Sequence, residues 1–238
     1  MTLPGGSEKR DLVEDVLDEI LSFNFRSLRT LRDILIRPGA VAARFVAGDR
    51  DTYTPPMRVW FGALTWMFLL SIIWGGWGQV LIDDAGQLER LLQESGRDPA
   101  AFRDAVSSFS ALLYVPIEAL LMLPGVFALR QMRREHSLIA AVQCYFIPVT
   151  AMTISSTLML IAASAGSFPV IWGAPVNLLV FFFVASRVLG REFADNRGGT
   201  IGKSLLLTLV VFALGVLARL ITFTASMFLA LQTVPGAL

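Results

Sequence analysis

The chain has 238 residues, of which 55% are hydrophobic and 16% charged, against roughly 25% charged in an ordinary soluble domain. A core of this size cannot enclose so much apolar surface, which excludes a soluble enzyme, a disordered tail and a collagen-like chain and makes the bilayer the expected solvent. Twenty Lys and Arg against nineteen Asp and Glu leave a net charge of +1, so no global basic field exists to hold nucleic acid.

Residues 1–25 contain no unbroken apolar stretch of the kind that directs secretion, so Met1 is expected as the true start. Over residues 8–23, Leu12, Val13, Val16, Leu17, Ile20 and Leu21 share one helical face, with Asp11, Glu14, Asp15, Asp18 and Glu19 largely opposite. This acidic amphipathic helix would be repelled by anionic lipid and is expected against protein. Residues 27–36 set Leu28, Leu31, Ile34 and Leu35 beside Arg26, Arg29, Arg32 and Arg37, a pattern suited to the membrane surface. Both helices are equally suited to packing on the cytoplasmic ends of membrane spans. Pro38-Gly39 interrupts the pattern, a shorter helix follows to Val46, and Gly48 stops it. Thr54-Pro55-Pro56 reads as a cap and first turn of the next helix.

A helix rises about 1.5 Å per residue, so a hydrocarbon layer of about 30 Å takes about 20 apolar residues. Five stretches qualify, at residues 57–82, 106–129, 138–165, 168–189 and 204–231. The expected fold is therefore all-α: a polytopic membrane bundle of about five transmembrane helices over 56–238, behind a cytoplasmic amphipathic segment over 1–55. Ala165-Gly166-Ser167 joins the third and fourth spans as an antiparallel hairpin. Between the first two spans, residues 87–93 suit a short amphipathic helix on the membrane or a docking surface.

Positive charge stays on the cytoplasmic side. Lys9, Arg10, Arg26, Arg29, Arg32, Arg37, Arg44, Arg50 and Arg58 precede or open the first span. Arg130, Arg133 and Arg134 follow the second, and Arg187, Arg191, Arg197 and Lys203 close the fourth or lie between it and the fifth. The loop between the first two spans holds only Arg90, Arg97 and Arg103, among acids. A cytoplasmic N-terminus and a periplasmic C-terminus follow. Trp60 at the inner end of the first span, with Trp74 and Trp77 at its outer end, sits where aromatic belts form.

Arg37-Pro38-Gly39, then Gly48-Asp49-Arg50 with Tyr53 and Pro55-Pro56, then a span rich in Trp and Phe, resembles a family of bacterial inner-membrane proteins. That family is known only as a domain of unknown function, number thirty-six sixty-seven. Glu135-His136, opening the third span, is similar to a Glu-His pair of the same family. The resemblance runs over about residues 26–190 and implies a multi-pass protein of the bacterial inner membrane, with no assigned activity. Many relatives carry an N-terminal Cys-rich zinc ribbon, which this chain lacks, so no role relying on that metal carries over.

Two charges fall near the middle of spans, Glu118 in the second and Arg219 in the fifth. Each would cost about 2.5–3.5 kcal/mol at a central position if left unpaired, so they are expected to face the bundle interior and each other at similar depth. Glu118 shares a stripe with Ser107, Ala111, Tyr114 and Gly125, and Arg219 one with Thr208, Gly215, Thr222 and Ser226. The third span adds Gln143, Thr150, Thr157 and Ser164, and the fourth Gly173 and Asn177. All are expected to line one interior, with the first span more peripheral. Pro116, Pro124 and Pro148 interrupt the second and third spans, leaving kinks or freed carbonyls. The charge pair serves either to fix helix packing or as a site for a solute, a proton or a lipid headgroup. A water-accessible cavity reaching Glu118 is what the second role requires.

His136 is the lone histidine and Cys144 the lone cysteine, which leaves no Cys- or His-based metal set. Nearby arginines and the absence of a paired nucleophile argue against catalysis by His136. It is expected at the cytoplasmic interface, hydrogen-bonded to the Arg37-Pro38-Gly39 segment. No cofactor is called for. The function expected first is a non-catalytic accessory, scaffolding or assembly component whose partners are lipids, another membrane protein or a second copy. The alternative is a small-solute or lipid transporter using Glu118 and Arg219.

Overall fold

The computed structural model describes residues 25–73, 92–93, 96–165, 172–194 and 196–234. Among them run eight helices and no strand: α1 (Phe25–Ile36), α2 (Pro38–Val46), α3 (Pro56–Ile73), α4 (Pro99–Met122), α5 (Pro124–Met132), α6 (Leu138–Ser164), α7 (Gly173–Glu192) and α8 (Arg197–Thr233). Four stretches are long and apolar enough to cross a membrane: Pro99–Met132, Leu138–Ala163, Gly173–Gly190 and Arg197–Thr233. Helix α3 is the described part of the expected first span. The rest of that span, with Trp74 and Trp77, lies outside the described residues, as do the acidic helix over 8–23 and most of 87–93.

Local chemistry sets the helix starts. Asp98 accepts from the Ala100 amide at 2.9 Å just ahead of Pro99, so α4 begins well before residue 106. Ser137 accepts from the Ala140 amide at 3.1 Å and starts α6, and Asn196 caps α8 through Gly199. The expected second span is broken at Leu123, where Pro124 opens α5, whereas α4 and α6 continue through Pro116 and Pro148.

Helix α4 lies mainly along α8, while α6 packs between α3 and α7, and α7 also meets α8 and α2. The main core joins Trp60 and Leu64 of α3 to Tyr145, Phe146 and Ile147 of α6 and Phe181 and Leu189 of α7. One expectation changes here. Trp60 is 1% exposed, stacks 4.6 Å from Phe146 and donates its indole N–H to Thr153 at 3.1 Å, so it is a core residue and not part of an interfacial belt. Helix α3 is seated mainly on α6, with Phe61, Trp66 and Leu69 turned outward among its large apolar described side chains.

Helix α1 reverses the usual amphipathic arrangement. Ser27, Thr30, Asp33 and Ile34 are buried, while Leu28, Leu35 and Ile36 are exposed beside Arg29 and Arg32. Leu31 joins Ala63, Trp66, Ile154, Thr157 and Leu158 around an apolar cleft, so α1 rests on α3 and α6. Apolar residues facing out of a polar contact surface suit lipid as the outer neighbour.

Candidate functional site

The polar cluster in the bundle lies where α4, α6, α7 and α8 meet. Tyr114, Glu118 and Met122 of α4, Met152 and Ser156 of α6, Asn177 of α7, and Gly215 and Arg219 of α8 line a cavity of about 70 Å³. That is room for a few waters or one small polar group. One turn of helix separates Tyr114 from Glu118 and Gly215 from Arg219, which brings each pair to the same face. Tyr114 lines the cavity together with both charges.

Glu118 and Arg219 thus line one cavity, yet among the described residues no ion pair within 4.0 Å joins them. Glu118 Oε2 is buried without a hydrogen-bond partner. Asn177, 8% exposed, donates its amide to Ser156 Oγ at 2.7 Å, and its Oδ1 is likewise unpartnered. Arg219 lines the cavity while remaining exposed, and so stands at its opening. Two acceptors inside and a cation at the mouth make a dipolar receptacle.

The other expected stripes divide. Asn177 and Gly215 belong to the cavity, whereas Gly125 lies against the Tyr145 ring. The seven-residue stripe of the third span faces α3: Gln143 accepts from the Met57 amide at 3.4 Å, and Thr150 donates to Phe146 O at 2.6 Å and approaches Pro56 O at 3.4 Å. It does not join the interior that holds Glu118. Ser156 does, although the polar stripe read from the sequence passes it by. The signal for it lies in the expected hairpin, because residues 156 and 177 are equidistant from a turn near 166 and must meet in an antiparallel pair.

The block from Arg37 to Pro56 forms a second site built from turns. Pro38 opens α2, and a Cβ on Gly39 would stand 2.7 Å from Arg187 O, so only glycine lets α2 approach α7 this closely. Gly48 has φ +83° and ends the helix in the left-handed region. Asp49 then accepts from the Asp51 and Thr52 amides at 3.1 Å and the Thr52 hydroxyl at 2.7 Å, with Arg44 at 3.2 Å. The Thr52 hydroxyl, followed by the Thr52 amide, holds the Asp49 carboxyl down to about 2.

Helix α1 clamps this loop. Arg26 donates to the carbonyls of Arg50 and Tyr53, and the Tyr53 hydroxyl donates to Asp33 at 2.9 Å. Burial pushes the Asp33 carboxyl up, but hydrogen bonds from Arg32 and Tyr53 and the charges of Arg32 and Arg29 outweigh it and leave it lowered. Burial, followed by the Asp33 contact, raises Tyr53. Thr54, read from sequence as the cap of α3, is tied to α1 through Ser27 and Thr30. Pro56 opens α3. The Arg37 and Arg50 side chains are exposed, so their backbone positions carry the contacts described.

Glu135 is exposed, with Oε2 3.6 Å from Arg133. His136 Nε2 lies 2.9 Å from Glu192 O and its ring meets Phe193 edge-on. It therefore binds the end of α7 and not the Arg37-Pro38-Gly39 segment. Arg133 donates to the same carbonyl at 2.8 Å, and Lys203 to Met132 O and Phe193 O at 3.2 and 2.6 Å. Three cationic or polar side chains thus satisfy carbonyls that helix ends leave open. Among the described residues no group of three or more His, Cys, Asp or Glu could hold a metal ion.

A family model described as "Protein of unknown function (DUF3667)" matches residues 26–68. The match spans α1, α2, the Asp49 loop and most of α3, and stops before Glu135-His136 and the cavity. Comparison with curated proteins and with solved structures finds no match.

Proposed function

We propose that this chain is a multi-pass protein of a bacterial inner membrane that receives the polar part of a small solute or lipid in the cavity between α4, α6, α7 and α8, without chemistry of its own. One observation carries the reading: Glu118 Oε2 faces a cavity among apolar helices, buried and unpartnered. A carboxylate at membrane depth costs about 2.5–3.5 kcal/mol, and an unfilled buried acceptor adds about 1–3 kcal/mol. A ligand supplying donors offsets both. A pair serving only to lock helices would be expected in direct contact. In this reading the chain crosses five times, with residues 74–82 completing the first span, the N-terminus cytoplasmic and the C-terminus periplasmic. The arginine distribution supports that orientation.

The test is solvent access. A Cβ at Gly215 would stand 4.0 Å from Met122 Cε, ordinary contact, so Gly215→Cys is tolerated sterically. In a Cys144→Ala background, the introduced thiol should react in intact vesicles with a small water-soluble maleimide or methanethiosulfonate. A folded Gly215→Cys chain whose thiol stays unreactive sinks the proposal.

A second reading, an accessory or assembly component, draws on α1. Its exposed Leu28, Leu35 and Ile36 beside Arg29 and Arg32 suit a lipid surface, another membrane protein or a second copy. Crosslinking from Leu35 to a partner protein, lost in Leu35→Glu, would favour it.

A further inference from the structure

The cavity's acceptors and its cation together specify more than polarity. Glu118 Oε2 and Asn177 Oδ1 are both buried acceptors without partners. They call for a group that brings N–H or O–H donors, and beside a carboxylate a cationic donor is favoured. Arg219 at the opening calls for an anionic oxygen and would repel a bare cation. Glu118 equally repels a simple anion. With one negative and one positive side chain, the site matches a ligand of zero net charge whose opposite charges are separated.

Building on the reading of the cavity as a ligand site, on which this inference rests, we propose that it binds a zwitterion, a primary ammonium directed to Glu118 and Asn177 and a phosphate or carboxylate directed to Arg219. The surroundings fit the headgroup of an aminophospholipid. Phe212 and Val216, which also line the cavity, are 46% and 48% exposed on the outer face of α8, so acyl chains would leave the headgroup along an apolar rim. A free amino acid or glycerophosphoethanolamine, a phosphodiester, carries the same charges without the chains. A choline headgroup carries the cation but no N–H, and leaves both acceptors unmet.

The experiment uses the full chain in mild detergent, with retained lipid counted by native mass spectrometry after titration with phosphatidylethanolamine, phosphatidylcholine or phosphatidylglycerol of identical acyl chains. Phosphatidylethanolamine should bind about tenfold more tightly than either of the others, a discrimination equal to one good charged hydrogen bond. Glu118→Gln and Asn177→Ala should each abolish that preference, whereas Arg219→Gln should weaken retention of all three lipids alike, with unchanged helical circular dichroism and a single elution peak as the check on folding. Competition by millimolar glycerophosphoethanolamine, with weak retention of the phospholipid, would uphold the zwitterion and assign a soluble source. Equal retention of phosphatidylglycerol or phosphatidylcholine overturns the zwitterion. If that equal retention is still lost in Glu118→Gln, the cavity remains a ligand site, whereas binding indifferent to all three substitutions overturns both readings.

Discussion

Gly39 shows how little room a single position has. Its missing side chain lets the backbone of α2 reach Arg187 O, where a Cβ would lie at 2.7 Å against an atom that cannot rotate away. Gly39→Ala should destabilise the folded chain by about 1–3 kcal/mol, the usual cost of overpacking. Gly48 differs, because nothing lies within 4 Å and only its φ of +83° resists a side chain. Gly48→Ala should therefore cost no more than about 1–2 kcal/mol. Thermal unfolding of the two variants in one detergent checks the order, and a smaller loss for Gly39→Ala would contradict the close approach. Sequence places both residues at a helix boundary but cannot tell contact from conformation, because the contact comes from α7.

At the scale of elements, carbonyl ends and acidic turns hold neighbouring helices together. Lys203 of α8 satisfies the last carbonyl of α5 and the first beyond α7. Lys203→Met should cost about 1.5–3 kcal/mol, the range of charged hydrogen bonds, read as faster amide exchange over 130–133 and 190–194. The α1–α2 block depends on pH through Asp49 and Asp33. The Asp49 carboxyl is lowered from 3.8 to about 2 in the fold and Asp33 is also lowered, so both stabilise the ionised, folded form. That stabilisation is present above the unfolded value, near 4, and is lost as pH falls from there toward about 2. Amides over 49–54 should exchange faster at pH 3 than at pH 5 after correction for intrinsic rates, with α6 little changed. Asp49→Asn should remove part of that difference. The helices themselves are legible from their apolar runs. The start of α4 is not, because one capping side chain, Asp98, decides it ahead of the apolar run, whereas at α6 the cap Ser137 and the apolar run coincide and the helix starts at residue 138 as expected.

For the whole molecule, the question is whether Glu118 and Arg219 bind each other or something else. With no ion pair within 4.0 Å between them, a double-mutant cycle on Glu118→Gln and Arg219→Gln should give a stability coupling of about 0.5 kcal/mol or less. A coupling of about 2 kcal/mol would make the pair a lock between α4 and α8 and weaken the ligand reading. Both residues are evident in the sequence as charges in apolar runs, and similar depth follows from counting residues. The absence of a direct ion pair and the place of Ser156 in the cavity need the packing of four helices.

Composition by itself determined that the chain contains helices able to span a membrane, because about 20 apolar residues in a row suffice whatever they touch. It also located the scarce charges that must find a special environment. Tertiary structure decided which face meets which neighbour: that the Gln143–Thr150–Thr157 stripe looks at α3, that Trp60 is core, and that His136 seals α7. In water an amphipathic pattern marks the buried face. A helix with lipid on one side and protein on the other is apolar on both, and only the packing of its neighbours separates them.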